Sequence, residues 1–385
     1  MNLYDRYTAE LQADDASGSY RVLPPAVDRS VVNLSSNDYL GLNEDENLMS
    51  VFMSEYQLDT RSMSSCSSRL LTGNHNEYVK LEAALETLYP ERRALVYPSG
   101  YHVNIGVLPT VAAKRDLIVA DKLVHASIID GIRLSPATLM RFNHNNINHL
   151  QSILEKHRQE FDNCFIVAES IYSMDGDVAK LSEIVELKHR FNCMLYVDEA
   201  HAFGVRGERG EGVCSELSLL PDVDFLVATL GKAAASMGSF VMVNEVMHNY
   251  LVNHSRSMIY TTALPPVNVA WSRFVIRHFA GMQSEREQLK QLSSRFAQSI
   301  GTQAETHIVP FMIGSNSSAI GLSAFLRDNG FYVLPIRHPT VPKGTARLRF
   351  SLKANMHFDD IRPIGELIRT YINTHRNDFS MAATH

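Results

Sequence analysis

Phe225-Leu226-Val227-Ala228-Thr229-Leu230-Gly231-Lys232 runs as an apolar strand into a lysine, and the residues after it, Ala233 to Gly238, are mostly small. Upstream, the apolar run Cys193–Val197 ends in the same way on Asp198, with His201 three residues further on. A lysine, an aspartate and a histidine at strand ends suit a cofactor that carries an aldehyde and a ring nitrogen. Pyridoxal phosphate needs this set: an amine for a Schiff base, a carboxylate to keep the pyridine nitrogen protonated, and close backbone packing around a phosphate.

Similar apolar runs lie on either side. Ala94–Tyr97, Leu117–Ala120, Phe165–Ala168, Met194–Val197 and Phe240–Val243 read as further strands. Between several of them lie segments of helical length, Tyr101–Ala113, Ile147–Gln159 and Leu181–Phe191, with apolar residues at helical spacing (Leu181, Ile184, Val185, Leu187). Continuous apolar strands joined by helices predict a mostly parallel central sheet covered on both faces, an α/β fold. Ligands on such sheets bind beyond the carboxyl ends of the strands, where Asp198 and Lys232 fall.

Leu264-Pro265-Pro266 opens a long helical stretch through Ile300. A compact α+β pattern follows, with strands at His307–Ile313, Phe331–Ile336 and Arg347–Leu352. Its helices are Ser317–Asn329, closed by Gly330, and Asp359–His375. The expected division is an N-terminal arm (1–45), a large cofactor-binding α/β domain (46–269) and a small C-terminal α+β domain (270–385).

Composition narrows the function classes. The 385 residues are 45% hydrophobic and 20% charged, with a net charge of −6. A chain without a broad basic field gives no footing for nucleic acid or an anionic membrane. No apolar run approaches the length of about 18 residues needed to span a bilayer. The segment Met1–Asp15 carries Asp5, Glu10, Asp14 and Asp15 and has no secretory apolar core. The four cysteines, Cys66, Cys164, Cys193 and Cys214, lack metal-type spacing and read as free thiols, so a cytoplasmic location is expected.

Several motifs have competing readings. Asp198-Glu199-Ala200-His201 spells the acidic box of helicases, but the chain lacks the G-x-x-x-x-G-K-[ST] loop such an enzyme needs. The glycines at 204, 207, 210 and 212 read as a surface loop or turn rather than a dinucleotide fingerprint, because no helix follows directly. Ser99-Gly100-Tyr101 follows a strand and opens a helix, which suits either a phosphate cradle or a simple N-cap. His125 precedes a helix and, from the residues alone, reads as structural. His102, His144 and His149 have no ligand spacing, so no metal is expected. Arg347 and Arg349 alternate with Leu348 and Phe350; by residue pattern this is an exposed strand face, although two guanidiniums at period 2 could fork onto a carboxylate.

The ordered motifs carry a family resemblance. They are Leu34-Ser35-Ser36-Asn37-Asp38-Tyr39-Leu40-Gly41, His125-Ala126-Ser127, Ser173-Met174-Asp175-Gly176-Asp177, Asp198-Glu199-Ala200-His201, Thr229-Leu230-Gly231-Lys232 and Pro339-Thr340-Val341-Pro342-Lys343-Gly344-Thr345-Ala346-Arg347-Leu348-Arg349. Together they resemble the α-oxoamine synthases, fold-type I pyridoxal-phosphate enzymes that condense an amino acid with an acyl thioester. The likeness spans Asn33 to Leu352, and its nearest branch belongs to biotin biosynthesis.

The resemblance implies a role for each matching residue. Lys232 is the Schiff-base lysine and later the proton carrier. Asp198 pairs with the pyridine nitrogen, and His201 and Ser173 contact the phenolic oxygen. His125 stacks on the ring, which reverses the structural reading above. Gly100, Tyr101 and Thr229 hold the phosphate. Thr261 and Thr262 reach the neighbouring subunit's phosphate, which implies a homodimer with shared active sites. Arg349 grips the amino-acid carboxylate, and Arg21 of the arm meets the distal carboxylate of the acyl group.

The implied reaction joins L-alanine to a pimeloyl thioester and releases carbon dioxide and the thiol to give 8-amino-7-oxononanoate. Coenzyme A and an acyl carrier protein both stay open as thiol carriers. So do sister activities (glycine C-acetyltransferase, 5-aminolevulinate synthase, a longer-chain acyl synthase) and a non-catalytic cofactor-binding dimer. The chain departs from the family in four places. Ser65-Cys66-Ser67-Ser68 stands for a Ser-Gly-Gly-Ser segment, Tyr78 for histidine, Ala235 for glycine, and Asn146 for the aspartate of a His-Asn-Asp motif.

Overall fold

A computed structural model describes residues 3–24, 26–28, 30–56 and 62–375. In chain order its strands are β1 (Val32–Asn33), β2 (Arg93–Tyr97), β3 (Leu117–Asp121), β4 (Thr138–Phe142), β5 (Cys164–Glu169) and β6 (Met194–Asp198). They continue with β7 (Phe225–Thr229), β8 (Ser239–Val243), β9 (Ile308–Gly314), β10 (Phe331–Tyr332), β11 (Pro335–Ile336) and β12 (Ala346–Ser351).

Internal contacts divide the chain into two compact units. The larger comprises 37–173 and 177–287, and the smaller comprises 1–36, 174–176 and 288–385. The larger is built on a seven-stranded sheet of order β2-β8-β7-β6-β5-β3-β4. The block β7-β6-β5-β3-β4 is parallel, while β8 runs antiparallel to both of its neighbours. Strands β3, β5, β7 and β8 are buried at every position, as expected of strands covered on both faces. β4 was not evident in the sequence. It is an edge strand whose first four residues are half-buried or exposed, so it lacks the apolar run that marks the others.

Helices Gly100–Val111, Ile147–His157 and Leu181–Phe191 form close to their expected limits. The single long helix expected after Leu264 is instead two. Pro266–His278 gives way to a 3₁₀ turn at Phe279–Gly281, and a second helix, Gln283–Ser299, follows.

The smaller unit holds an antiparallel sheet β11-β12-β9 and a parallel pair, β1 with β10. The run Phe331–Ile336 therefore splits between two sheets rather than forming one strand. Helix Asn316–Asp328 leads to Gly330, whose φ of 89° requires the left-handed region that glycine enters freely. The last helical stretch is interrupted between Phe358–Ile361 and Pro363–Thr374, because Pro363 cannot donate to a continuing helix.

Candidate active site

Register places the key strand ends side by side: Asp198 at the end of β6 lies opposite Val227 of β7, and Glu169 at the end of β5 lies opposite Asp198. Lys232 sits in the link between β7 and the antiparallel β8. Leu230 N donates to Gly238 O (2.9 Å), Ser236 N to Leu230 O (2.9 Å) and Ala235 N to Lys232 O (2.8 Å), which folds the link tightly.

The half-buried Lys232 presents Nζ 2.7 Å from His201 Nε2. Tyr39 Oη donates to Asn37 Oδ1 (3.0 Å) and lies 2.6 Å from His201 Nδ1. Nδ1 must then carry the proton, which leaves Nε2 as acceptor for the amine; this tautomer is assigned from the network.

Asp198 is only 5% exposed. Its Oδ1 accepts from Ala200 N (2.9 Å) and its Oδ2 from Asn104 Nδ2 (3.0 Å). The same Asn104 amide group lies 2.9 Å from Ser127 Oγ, and Asn104 Oδ1 accepts from Tyr196 Oη. Ser127 Oγ in turn lies 2.7 Å from His125 Nδ1, which also accepts from Ser127 N at 3.2 Å. His125 is exposed as a residue, yet loss of water around its ring pulls the imidazole below its ordinary value. The charge of Lys232 acts in the same direction and that of Asp198 opposes it.

Ser99 caps helix Gly100–Val111, accepting from His102 N at 3.3 Å, so the amides of the first turn face outward without intrahelical partners. Gly100 lies beside Thr229, whose Oγ1 would be 3.7 Å from a Cβ at that position. Thr229 Oγ1 donates to Gly238 O (3.1 Å) and accepts from Gly231 N (3.2 Å), which holds the hydroxyl beside the helix start. Ser173 is buried beyond β5, Thr261 is half-buried and Thr262 is exposed. An amine, a buried carboxylate and an N-terminal amide cradle on one sheet edge form a donor set that fits pyridoxal phosphate.

Arg21 and Arg349 belong to the smaller unit. Arg21 lines a groove of about 870 Å³ with Tyr20, Arg327 and Arg337, and lies 3.4 Å from Thr340 Oγ1. The expectation of an exposed face for Arg347 and Arg349 is overturned: they are 4% and 7% exposed. Arg347 is paired with Asp175, and Arg349 donates to Ser351 Oγ at 2.5 Å.

Asn104, Ser127, Tyr196 and Glu169 escaped the sequence reading because each sits inside an ordinary helix or strand pattern. Tyr39 and Ser127 fell within quoted motifs, but neither was given a role there. The acidic box is explained by Glu199. Its buried carboxylate accepts from Ser170 Oγ (2.5 Å), Val213 N (3.1 Å) and Cys214 N (2.7 Å), and burial pushes its carboxyl above the usual range. Gly212, at φ 107°, packs on it so closely that a Cβ would lie 2.7 Å from the carboxylate carbon. The glycine stretch is therefore a set of turns, but much of it is buried rather than on the surface.

The four departures are also accommodated. Tyr78 is buried, its hydroxyl accepts from Leu264 N (2.7 Å), and desolvation pushes it up to about 12. Asn146 caps helix Ile147–His157 by accepting from His149 N at 2.9 Å, as an aspartate would. Ala235 and Cys66 take φ values of 46° and 51°.

Residues 29–366 match the family model for class I and II aminotransferases. A Haemophilus influenzae protein named "Putative 8-amino-7-oxononanoate synthase" is 45% identical over 93% of this chain and 98% of its own length. A Neisseria meningitidis protein of the same name is 44% identical, over 94% and 98%. Among solved structures, serine palmitoyltransferase from S. paucimobilis, bound to pyridoxal phosphate and myriocin, has a TM-score of 0.88 and 28% identity, covering 97% of this chain and 99% of that one. The 8-amino-7-oxononanoate synthase of Francisella tularensis has a TM-score of 0.77 and 29% identity, covering 91% and 100%. With matches of this extent, the chain belongs to the class I and II aminotransferase family and, within it, to the α-oxoamine synthases, as a pyridoxal-phosphate-dependent acyltransferase.

Proposed function

We propose that the protein condenses L-alanine with a pimeloyl thioester, releasing carbon dioxide and the carrier thiol, to make 8-amino-7-oxononanoate for biotin. The observation that carries this reading is the identity of 44–45% to relatives of that name along nearly their whole length.

Bound pyridoxal phosphate supplies an aldehyde that takes up amines and a protonated ring that draws electrons from the α-carbon. In this reading Lys232 Nζ anchors the aldehyde. The same Nζ would serve as the base that takes the α-proton of alanine. His201 Nε2, 2.7 Å from the free amine, would orient it for this work. Asp198 keeps the proton on the ring nitrogen, fixed by its two N–H donors. His125 covers the ring face, while His201 and Ser173 meet the phenolic oxygen. The amides of Gly100 and Tyr101, with Thr229, hold the phosphate. Arg349 binds the alanine carboxylate, and Arg21 meets the distal carboxylate of the pimeloyl chain. Thr261 and Thr262 complete the phosphate site of a second copy, which makes the active form a homodimer acting in the cytoplasm. The thiol carrier is coenzyme A or an acyl carrier protein.

A product-identifying assay with alanine or glycine against pimeloyl, acetyl, succinyl and palmitoyl thioesters tests the substrate choice. Turnover of glycine with acetyl-CoA, and none of alanine with the pimeloyl donor, would overturn it. Lys232→Ala should abolish turnover yet retain weak cofactor binding, and borohydride should label the wild type at Lys232 alone. Full activity of that variant would remove the lysine from the mechanism.

A further inference from the structure

Glu169 has no part in the reading above, yet it is 2% exposed and lies beside its centre. It ends β5 opposite Asp198 of β6, and neighbouring positions on parallel strands point to the same face. Its Oε1 accepts the main-chain N–H of His125. A closed circuit results. His125 Nδ1 meets Ser127 Oγ, Ser127 meets the Asn104 amide, that amide reaches Asp198, and Asp198 adjoins Glu169, which returns to His125.

We propose that Glu169 is a positioning residue for the cofactor ring: its carboxyl group fixes where His125 stands and sets the charge balance beside Asp198. Two carboxyl groups at adjoining buried strand ends cannot both ionise cheaply. Among the described residues, Asp198 has two N–H donors, the surroundings a carboxylate needs, whereas Glu169 has one, from His125. Burial pushes the Glu169 carboxyl well above the ordinary range. Asp198, and more weakly Asp121 on β3, push the same way, while Lys232 and the His125 N–H pull against them. In this proposal Glu169 keeps its proton at neutral pH, the state favoured by its burial beside a second carboxyl group. It serves His125 as a neutral acceptor and leaves Asp198 as the anion facing the ring nitrogen. A neutral carboxyl is isosteric with an amide, so glutamine should replace it in both respects, whereas alanine supplies no acceptor.

The inference rests on the assignment of Lys232, Asp198 and His125 to the cofactor, and its test separates the two. Infrared spectra of the holoenzyme at about pH 8, far above the ordinary glutamate value of about 4.3, should contain a protonated-carboxyl carbonyl band that Glu169→Gln removes. Glu169→Ala should weaken pyridoxal-phosphate binding at least tenfold and shift the pH midpoint of the cofactor's visible band. Glu169→Gln should restore both to within about threefold of wild type, against the tenfold that corresponds to about 1.4 kcal/mol. A spectrum unchanged by Glu169→Gln, or wild-type cofactor affinity and midpoint in Glu169→Ala, overturns the proposal. If Glu169→Ala does not fold, the infrared comparison on Glu169→Gln decides alone. A wild-type protein with no adduct at Lys232 would instead sink the functional reading itself.

Discussion

Ala235 shows how a single side chain registers a backbone requirement. Its φ of 46° lies in the left-handed region, where a β-carbon meets the following carbonyl. The conformation is held by the turn bond from Ala235 N to Lys232 O (2.8 Å) and by Trp271 Nε1 donating to Ala235 O (2.9 Å). The glycine that the resemblance implies here, and at the position of Cys66, thus has a physical reason that the chain's own residues conceal. Ala235→Gly should raise the urea midpoint, with a gain of about 0.5–1 kcal/mol. A lower midpoint would mean that the left-handed turn carries no strain. The lysine and aspartate were legible at this scale because their chemistry is written in residue type. Glu169 was not, because a carboxylate closing an apolar strand looks the same whether it faces water or lies buried beside another acid.

Among elements, the strands most readable in sequence were those buried on both faces, and the errors fell where burial is partial or a partner decides. Edge strand β4 has no continuous apolar run, the 3₁₀ turn at Phe279–Gly281 interrupts one uniform helical pattern, and Phe331–Ile336 divides according to which strand each end pairs with. Helix Ile147–His157 offers a direct test of local capping. Asn146 accepts from His149 N, so Asn146→Ala should cost about 1 kcal/mol, while Asn146→Asp should be neutral to within about half that. Equal midpoints for the alanine variant and the wild type in chemical denaturation would show that the cap contributes nothing. Asn146, where the resemblance implies an aspartate, then caps the helix as that residue would.

For the whole molecule, stability should depend on pH through His144. Its Nδ1 lies 2.9 Å from Asp121 Oδ1 and its Nε2 lies 2.7 Å from Asp177 Oδ2, with Tyr172 edge-on at 4.4 Å. Burial opposes the charged ring, but the two carboxylates outweigh it and raise the imidazole from 6.5 to about 10. A raised value means that the folded state binds the proton more tightly. The stabilisation is complete below about pH 6.5 and fades as pH rises toward 10. Urea midpoints of wild type and His144→Gln should therefore differ most in mild acid and converge in alkali; a gap that widens with pH would refute the ion-paired histidine. The one strand that reverses direction in the large sheet has a mechanical consequence. Because β8 doubles back beside β7, only residues 230–238 separate two clamped ends. The Lys232 amine is thus mounted like a bolt in a short bracket: it can swing by rotating its own methylene stem, while the bracket has no slack to travel with it.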